Sequence, residues 1–273
     1  MLKINYQKNY ASLFALLFVI CYSLSVVFPA SAQLDLSSFF NPLQQNTPTS
    51  TTPVPKLTPA EISLVWSAKT YTPADYLGKP LPSYNSLLEV LAIQTAPTKV
   101  DLTSLNYKWS LDGSFQQLDS GQNRSRFLFR ASVLGDQQHF IALQIEDKEG
   151  RSVLNLSTTI NIVTPEANIY PFEKQTINFI QANSGQDVLA PGQEKTFVAL
   201  PYFFDINNFS ALSFQWNFNG QIINKTEEKN KFTIKMASGD LQESFIQPLL
   251  VLAVNPQNEL QRATGKLDIT VKK

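Results

Sequence analysis

The sequence predicts an all-β protein built as two tandem antiparallel β-sandwiches, and three observations carry that prediction. A block recurs: Tyr107-Lys-Trp109-Ser-Leu-Asp112-Gly113 returns as Phe214-Gln-Trp216-Asn-Phe-Asn219-Gly220, each position 107 residues on. The last strands keep the same offset, Ile160-Asn-Ile162 being answered by Leu267-Asp-Ile269. Apolar residues alternate with polar ones, as at Phe127, Phe129 and Ala131 or Ile141, Leu143 and Ile145. Period two with one buried face is the pattern of antiparallel sheets packed on a core. No segment sustains a capped helical periodicity.

The chain opens on a segment outside this pattern. Lys3 and Lys8 precede an uncharged apolar run from Ala11 to Pro29, and Ala30-Ser31-Ala32 supplies the small-x-small site of a signal peptidase. Residues 1–32 are therefore expected to be a signal peptide, with Gln33 the mature N-terminus. The alternative is an uncleaved signal-anchor, and contact with the membrane is expected only in that case. Cys21, the sole cysteine, lies inside this run, so the exported chain has no disulfide or thiol chemistry. A disulfide-free exported protein of small domains leans bacterial. Beyond residue 32 there are 20 basic and 22 acidic residues, a balance that does not steer the protein toward nucleic acid. No stop-transfer or sorting segment is expected after the final strand.

Residues 33–58 read as a linker, because Asn46 to Pro55 is rich in Thr, Ser and Pro and cannot bury enough apolar surface to order itself. The first domain, 59–164, begins with a strand at Glu61–Trp66. The stretch Tyr71-Thr-Pro73-Ala-Asp-Tyr76-Leu-Gly78-Lys-Pro80 then suits a loop or sheet edge, since proline cannot donate to a ladder. Further strands are expected at Leu87–Ile93, Leu105–Leu111, Arg126–Arg130, Phe140–Ile145 and Val153–Val163. Asp112-Gly113 and Glu149-Gly150 are the turn pairs between them. The second domain, 165–273, repeats the order. Its strands are expected at Ile169–Phe172, Thr176–Ile180, Thr196–Phe204, Leu212–Phe218, Phe232–Met236, Phe245–Val254 and Ala263–Val271. Seven short strands in such a length is the scale of an immunoglobulin-like sandwich. The short junction at Thr164-Pro165 predicts a semi-rigid pair rather than freely tethered domains.

The block Tyr107-x-Trp109-x-x-Asp112-Gly113, then Ser120-Gly121, an aromatic strand and Ile141-x-Leu143-x-Ile145-Glu-Asp147-x-x-Gly150, resembles the polycystic-kidney-disease (PKD-type) branch of immunoglobulin-like domains. The likeness is good over Thr98 to Val163 and weaker over Ala211 to Val271, where Asn255-Pro-Gln-Asn258 replaces the glycine turn. The arrangement is also similar to tandem PKD-like exported proteins of small-genome bacteria, which share the Trp66…Tyr71-x-Pro73…Tyr76-x-Gly78-Lys79 opening. The resemblance implies an extracellular β-sandwich used as a spacer, an adhesive or a carbohydrate-associated module, without catalytic residues.

The residues offer little reactive chemistry. His139 is the single histidine, placed by its Gln137-Gln138 neighbours at a strand start and read as a surface residue. Zinc sites of Cys/His type are excluded, and no Gly-x-Ser-x-Gly elbow accompanies His139. Asp112, Asp119, Glu146, Asp147, Glu149 and Asp205 lie at strand ends. Calcium needs about six to eight oxygens, and turn formation explains these acids more simply. No cofactor is therefore expected, with Ca2+ at Asp147–Gly150 the only alternative weighed. A glycosidase would need two converging carboxylates, which the acid pattern does not supply. The sequons at Asn123, Asn155, Asn208 and Asn224 are read as chance in an Asn- and Ser/Thr-rich chain.

Trp109 and Trp216, mid-strand in the repeat, are expected to be core anchors. Trp66, Tyr71, Tyr76 and Tyr84 around the Pro-rich loop, and Tyr202 in the Tyr202-Phe203-Phe204 run, are the candidate surface contacts. Packing at a domain end or between the domains is the competing account of the same residues. The expected function is non-enzymatic: an exported structural or adhesive module, at the cell surface or in the periplasm, binding a protein or glycan. The alternatives are a carbohydrate-binding module using Trp66, Tyr71 and Tyr76, or an accessory subunit of a pilus- or secretion-type machine pairing strands with a partner.

Overall fold

The computed structural model describes residues 56–179, 186–223, 226, 228–238 and 243–272. The signal segment, nearly all of the linker, Ile180 and the sequon at Asn224 lie outside the described residues. Among the described residues eight strands precede Val163: β1 (Ile62–Lys69), β2 (Leu87–Gln94), β3 (Asn106–Leu111), β4 (Ser114–Phe115), β5 (Gly121–Gln122), β6 (Arg126–Arg130), β7 (Gln138–Glu146) and β8 (Ser152–Asn161). Nine follow: β9 (Glu166–Glu173), β10 (Thr176–Ile177), β11 (Gln186–Leu189), β12 (Glu194–Tyr202), β13 (Ser213–Phe218), β14 (Gln221–Ile223), β15 (Lys231–Lys235), β16 (Phe245–Val254) and β17 (Arg262–Val271).

These strands make an all-β protein of four sheets. The first half forms β1-β2-β6 and β4-β3-β7-β8, with β5 beside β3; the second forms β10-β9-β12-β15 and β11-β17-β16-β13-β14. Among the described strands no sheet mixes the two halves. Each pair of sheets closes on its own core, one built from Leu57 to Ile162 and one from Ala167 to Ile269. Both cores belong to the compact unit Thr52–Lys273.

The repeat is visible atom by atom. Short 3-10 turns stand at Leu102–Ser104 and Phe209–Ala211, 107 residues apart, where Asp101 and Asn208 each accept a hydrogen bond from the backbone N–H two residues on. The tryptophans that follow are fully enclosed. Trp109 stacks on Phe127 at 5.6 Å and donates its indole N–H to Arg124 O, while Trp216 stacks on Phe232 at 5.7 Å and donates to Lys229 O. An indole N–H satisfied by a backbone carbonyl is what allows so large a ring into a core. Asp112-Gly113 and Asn219-Gly220 then make two-residue hairpins with all four φ angles positive, the conformation that Asp/Asn-Gly pairs favour.

Two features depart from the sequence reading. His139 is not a surface residue: its ring is fully buried at the inward end of β7, edge-on to Phe129. Ser132 N–H donates to its Nε2 at 3.1 Å, so the ring proton sits on Nδ1 and is donated to Asp112 Oδ2 at 2.7 Å. Period two places His139 on the same face as Ile141 and Leu143, and the polar neighbours that suggested a turn point outward. The second departure is β11, which runs parallel to β17. Its four residues, Gln186-Asp-Val-Leu189, are too short for a periodicity argument, and only the tertiary contact with β17 reveals them as a strand.

Candidate functional site

Four of the five aromatics singled out in the sequence lie in or beside the junction between the halves. Tyr71 makes an antiparallel bridge with the second half: its N–H donates to Phe204 O at 2.8 Å and its carbonyl accepts from Phe203 N–H at 2.7 Å. Its ring lies 6.4 Å from Phe209. Tyr76 meets Tyr202 and Phe203 edge-on, at 5.8 and 5.7 Å. Gly78 lies close beside it, and a Cβ there would displace the Tyr76 phenol. The Tyr84 carbonyl accepts a 2.6 Å bond from the second half. Trp66 is the exception: it faces inward from β1 against the first core, with the Lys79 ammonium 3.0 Å above its ring. Desolvation there draws the Lys79 pKa down from the usual lysine range.

Tyr202 is not a surface contact. It is buried with Val198, Leu200 and Phe203 in a third apolar cluster, against which Tyr76, Leu81, Tyr170 and Phe179 pack. The cause is that the Pro-rich loop of the first half lies over the outer face of β12, so this strand is covered on both sides. Burial and the 3.0 Å hydrogen bond with Tyr170 push the Tyr202 phenol far above its ordinary pKa, and burial also raises that of Tyr71. Both hydroxyls keep their protons through the physiological range. Phe203 holds a positive φ of 64°, costly for a bulky residue, and the turn it makes sends Phe204 fully into the second core.

A polar knot completes the junction. Gln261 is fully buried just before β17, and its side-chain amide is saturated. Its Nε2 donates to Ser83 Oγ at 3.1 Å and to Tyr84 O, while its Oε1 accepts from Asp205 N–H at 2.9 Å and from Asn255 Nδ2 at 3.0 Å. Beside it Arg130 donates to Asn85 O at 2.6 Å and pairs with Asp205 at 3.0 Å. The turn that ends in Gln261 is the one where the second copy departs from the first. In the first copy Asp147 accepts from the Glu149 and Arg151 N–H groups and pairs with the Arg151 side chain at 2.7 Å. In the second, Asn255 accepts from Gln257 N–H in the same way but turns its amide to Gln261. The replacement of the glycine turn by Asn255-Pro-Gln-Asn258 is the trace this difference leaves in the sequence.

These groups can hold the two halves in one orientation. The His139–Asp112 pair has the look of a catalytic dyad, but Nε2 is occupied by a backbone N–H and the ring is sealed from solvent. The Asp147 carboxylate is taken up by its own turn and by Arg151. Among the described residues, no group of three or more His, Cys, Asp or Glu stands together as metal ligands do.

No protein-family model matches the sequence, and no curated protein matches it. Among solved structures, similar chains include the fibronectin(III)-like modules of Clostridium thermocellum CbhA, at 9% identity over 76% of this chain and 93% of that one, TM-score 0.26. Bacteroides ovatus SGBP-B, from a mixed-linkage glucan utilization locus and solved with a mixed-linkage heptasaccharide, is 10% identical over 75% of this chain and 47% of its own, TM-score 0.22. The FN1–FN3 domains of chicken CNTN1 are 10% identical over 72% of this chain and 68% of theirs, TM-score 0.27. Likeness at this level does not say what this chain binds, and its β-sandwich class rests on its own strands and cores.

Proposed function

We propose that the chain is an exported, non-enzymatic protein of the cell envelope or surface, whose two PKD-like sandwiches work as one stiff spacer or adhesive module toward a protein or glycan partner. The single observation that supports this reading most is the junction: a β-bridge, an aromatic cluster and a saturated glutamine lock the halves where a flexible linker would have sufficed. Rigidity of this kind suits a part that holds something at a fixed distance. The glycan-stacking alternative has less support, since Trp66 packs on the first core and Tyr71 and Tyr76 on the second half, each keeping part of its surface exposed. The strand-pairing alternative keeps one support. Among the described strands β8 pairs only with β7, and just past its end Val163 makes a parallel bridge with Ser83 and donates to Pro82 O, so β8 is an edge strand.

The test is fractionation followed by capture. Immunoblots should place the protein in envelope or exterior fractions, and the full chain should retain a discrete partner from envelope extracts. A cytoplasmic location would sink the proposal.

A further inference from the structure

The outward face of β16 is apolar at every position. Ile246, Pro248, Leu250, Leu252 and Val254 alternate with the inward Leu249, Val251 and Ala253, so five apolar side chains form one column along the centre of the five-stranded sheet. Ile246 is exposed; polar outward residues flank the column, Gln215 and Asn217 on β13 and Thr264 and Thr270 on β17, and beyond them Ile222 of β14 and Val188 of β11 are exposed too. The fold does not demand this. In the first copy the matching strand β7 turns Gln138, Phe140, Ala142, Gln144 and Glu146 outward, with Lys108 paired to Glu146 at 2.7 Å. Contiguous apolar surface rimmed by polar residues marks a place where another surface docks.

We propose that this face binds a second copy of the same chain, forming a two-fold symmetric dimer sheet to sheet. Charge placement argues for it. On the neighbouring strand β17, Lys266 stands beside Leu250 and Asp268 beside Pro248, 3.1 Å from each other. A two-fold axis in the plane of the interface, perpendicular to β16 and between these two rows, lays β17 antiparallel over its copy. Lys266 then faces the copy's Asp268, and Asp268 the copy's Lys266, in a square of alternating charge. The same axis sets Leu250 over the copy's Pro248 and Leu252 over its Ile246. The face is small: strands about 4.8 Å apart, rising about 3.3 Å per residue over the lengths of β11, β17, β16, β13 and β14, give roughly 500 Å2 against about 800 Å2 from each partner in a standard interface, so the dimer is expected to be weak. Sheets packed face to face hold their strands near alignment.

Sedimentation of the full chain over a concentration series tests this, with circular dichroism and melting temperature showing that each variant is folded. The wild type should form a dimer. Leu252→Glu should raise its dissociation constant at least about tenfold, by burying an unpaired charge in the column. Lys266→Asp and Asp268→Lys should each weaken it by a similar factor, through like charges brought face to face. The double swap Lys266→Asp with Asp268→Lys should restore it, because the two-fold axis re-pairs the exchanged charges. A monomer at every concentration overturns the proposal, and with it the choice of a second copy as occupant. A dimer indifferent to Leu252→Glu and to the single swaps overturns it too, since association through the apolar N-terminal run would behave that way. Failure of the double swap to rescue overturns the two-fold geometry.

Discussion

Single residues show where this protein has no slack. Trp109 and Trp216 fill their cores and spend their only polar atom on a backbone carbonyl. Trp109→Ala and Trp216→Ala should each destabilise by about 3–5 kcal/mol in denaturant titrations. A melt like that of the wild type would show that the ring is not an anchor. Gly265 is constrained differently: a Cβ there would collide with the Ala167 carbonyl and press on Val251, because β9 crosses β17 at that point. Backbone cannot yield as a side-chain tip can. Gly265→Ala is expected to cost about 1–3 kcal/mol, and a neutral substitution would mean that the two sheets slide apart easily. Both tryptophans were legible in the sequence, since a repeated aromatic strand announces itself. Gly265 was not, because close approach of two strands distant in sequence leaves no local trace.

At the scale of elements, turns and short strands are held by charges whose partners the structure identifies. Asp147 closes the β7–β8 hairpin. Burial alone would raise its pKa, but hydrogen bonds from Arg151 and Glu149 outweigh that and hold the carboxyl below its usual range. A carboxylate with a depressed folded pKa stabilises above its unfolded pKa and loses that contribution as pH falls through the folded value. Wild type should therefore exceed Asp147→Asn in urea resistance at neutral pH, and the gap should close in acid below the ordinary carboxylate range. A gap independent of pH would refute the charge-based account. In the second copy, Lys195 pairs with Asp187 at 2.7 Å, both buried, and so fastens β11 to β12. Lys195→Met would leave a buried carboxylate without its cation, at a cost of about 3–5 kcal/mol. The first copy has Leu88 at the matching place, fully buried in its core.

For the whole molecule, the question is whether two sandwiches move as one. Gln261 is the residue on which the answer turns, because it joins Ser83 and Tyr84 of the first half to Asp205 and Asn255 of the second. Gln261→Ala should strand several buried polar groups and cost about 2–4 kcal/mol. It should also broaden the interdomain distance distribution measured between spin labels on the two halves. An unchanged, narrow distribution would mean that the aromatic cluster alone sets the orientation. The Pro/Tyr-rich loop and the Tyr202 run were recognisable as unusual in the sequence, being the parts the two copies do not share. Their pairing with each other was not, since nothing in either segment names its complement.

The sequence by itself determined the class, the two-fold repetition and its tryptophan anchors, because period-two patterning and Asp/Asn-Gly turns are local consequences of residue chemistry. Most strand bounds follow from the same local rules, with β16 at Phe245–Val254 matching its expectation residue for residue. The tertiary structure alone decided that His139 is interior, that β11 is a strand and that Tyr71, Tyr76 and Tyr202 pack at the junction of the halves. Each of those outcomes depends on what packs from far along the chain. Burial is a property of pairs of segments, and a linear pattern specifies only one member of each pair.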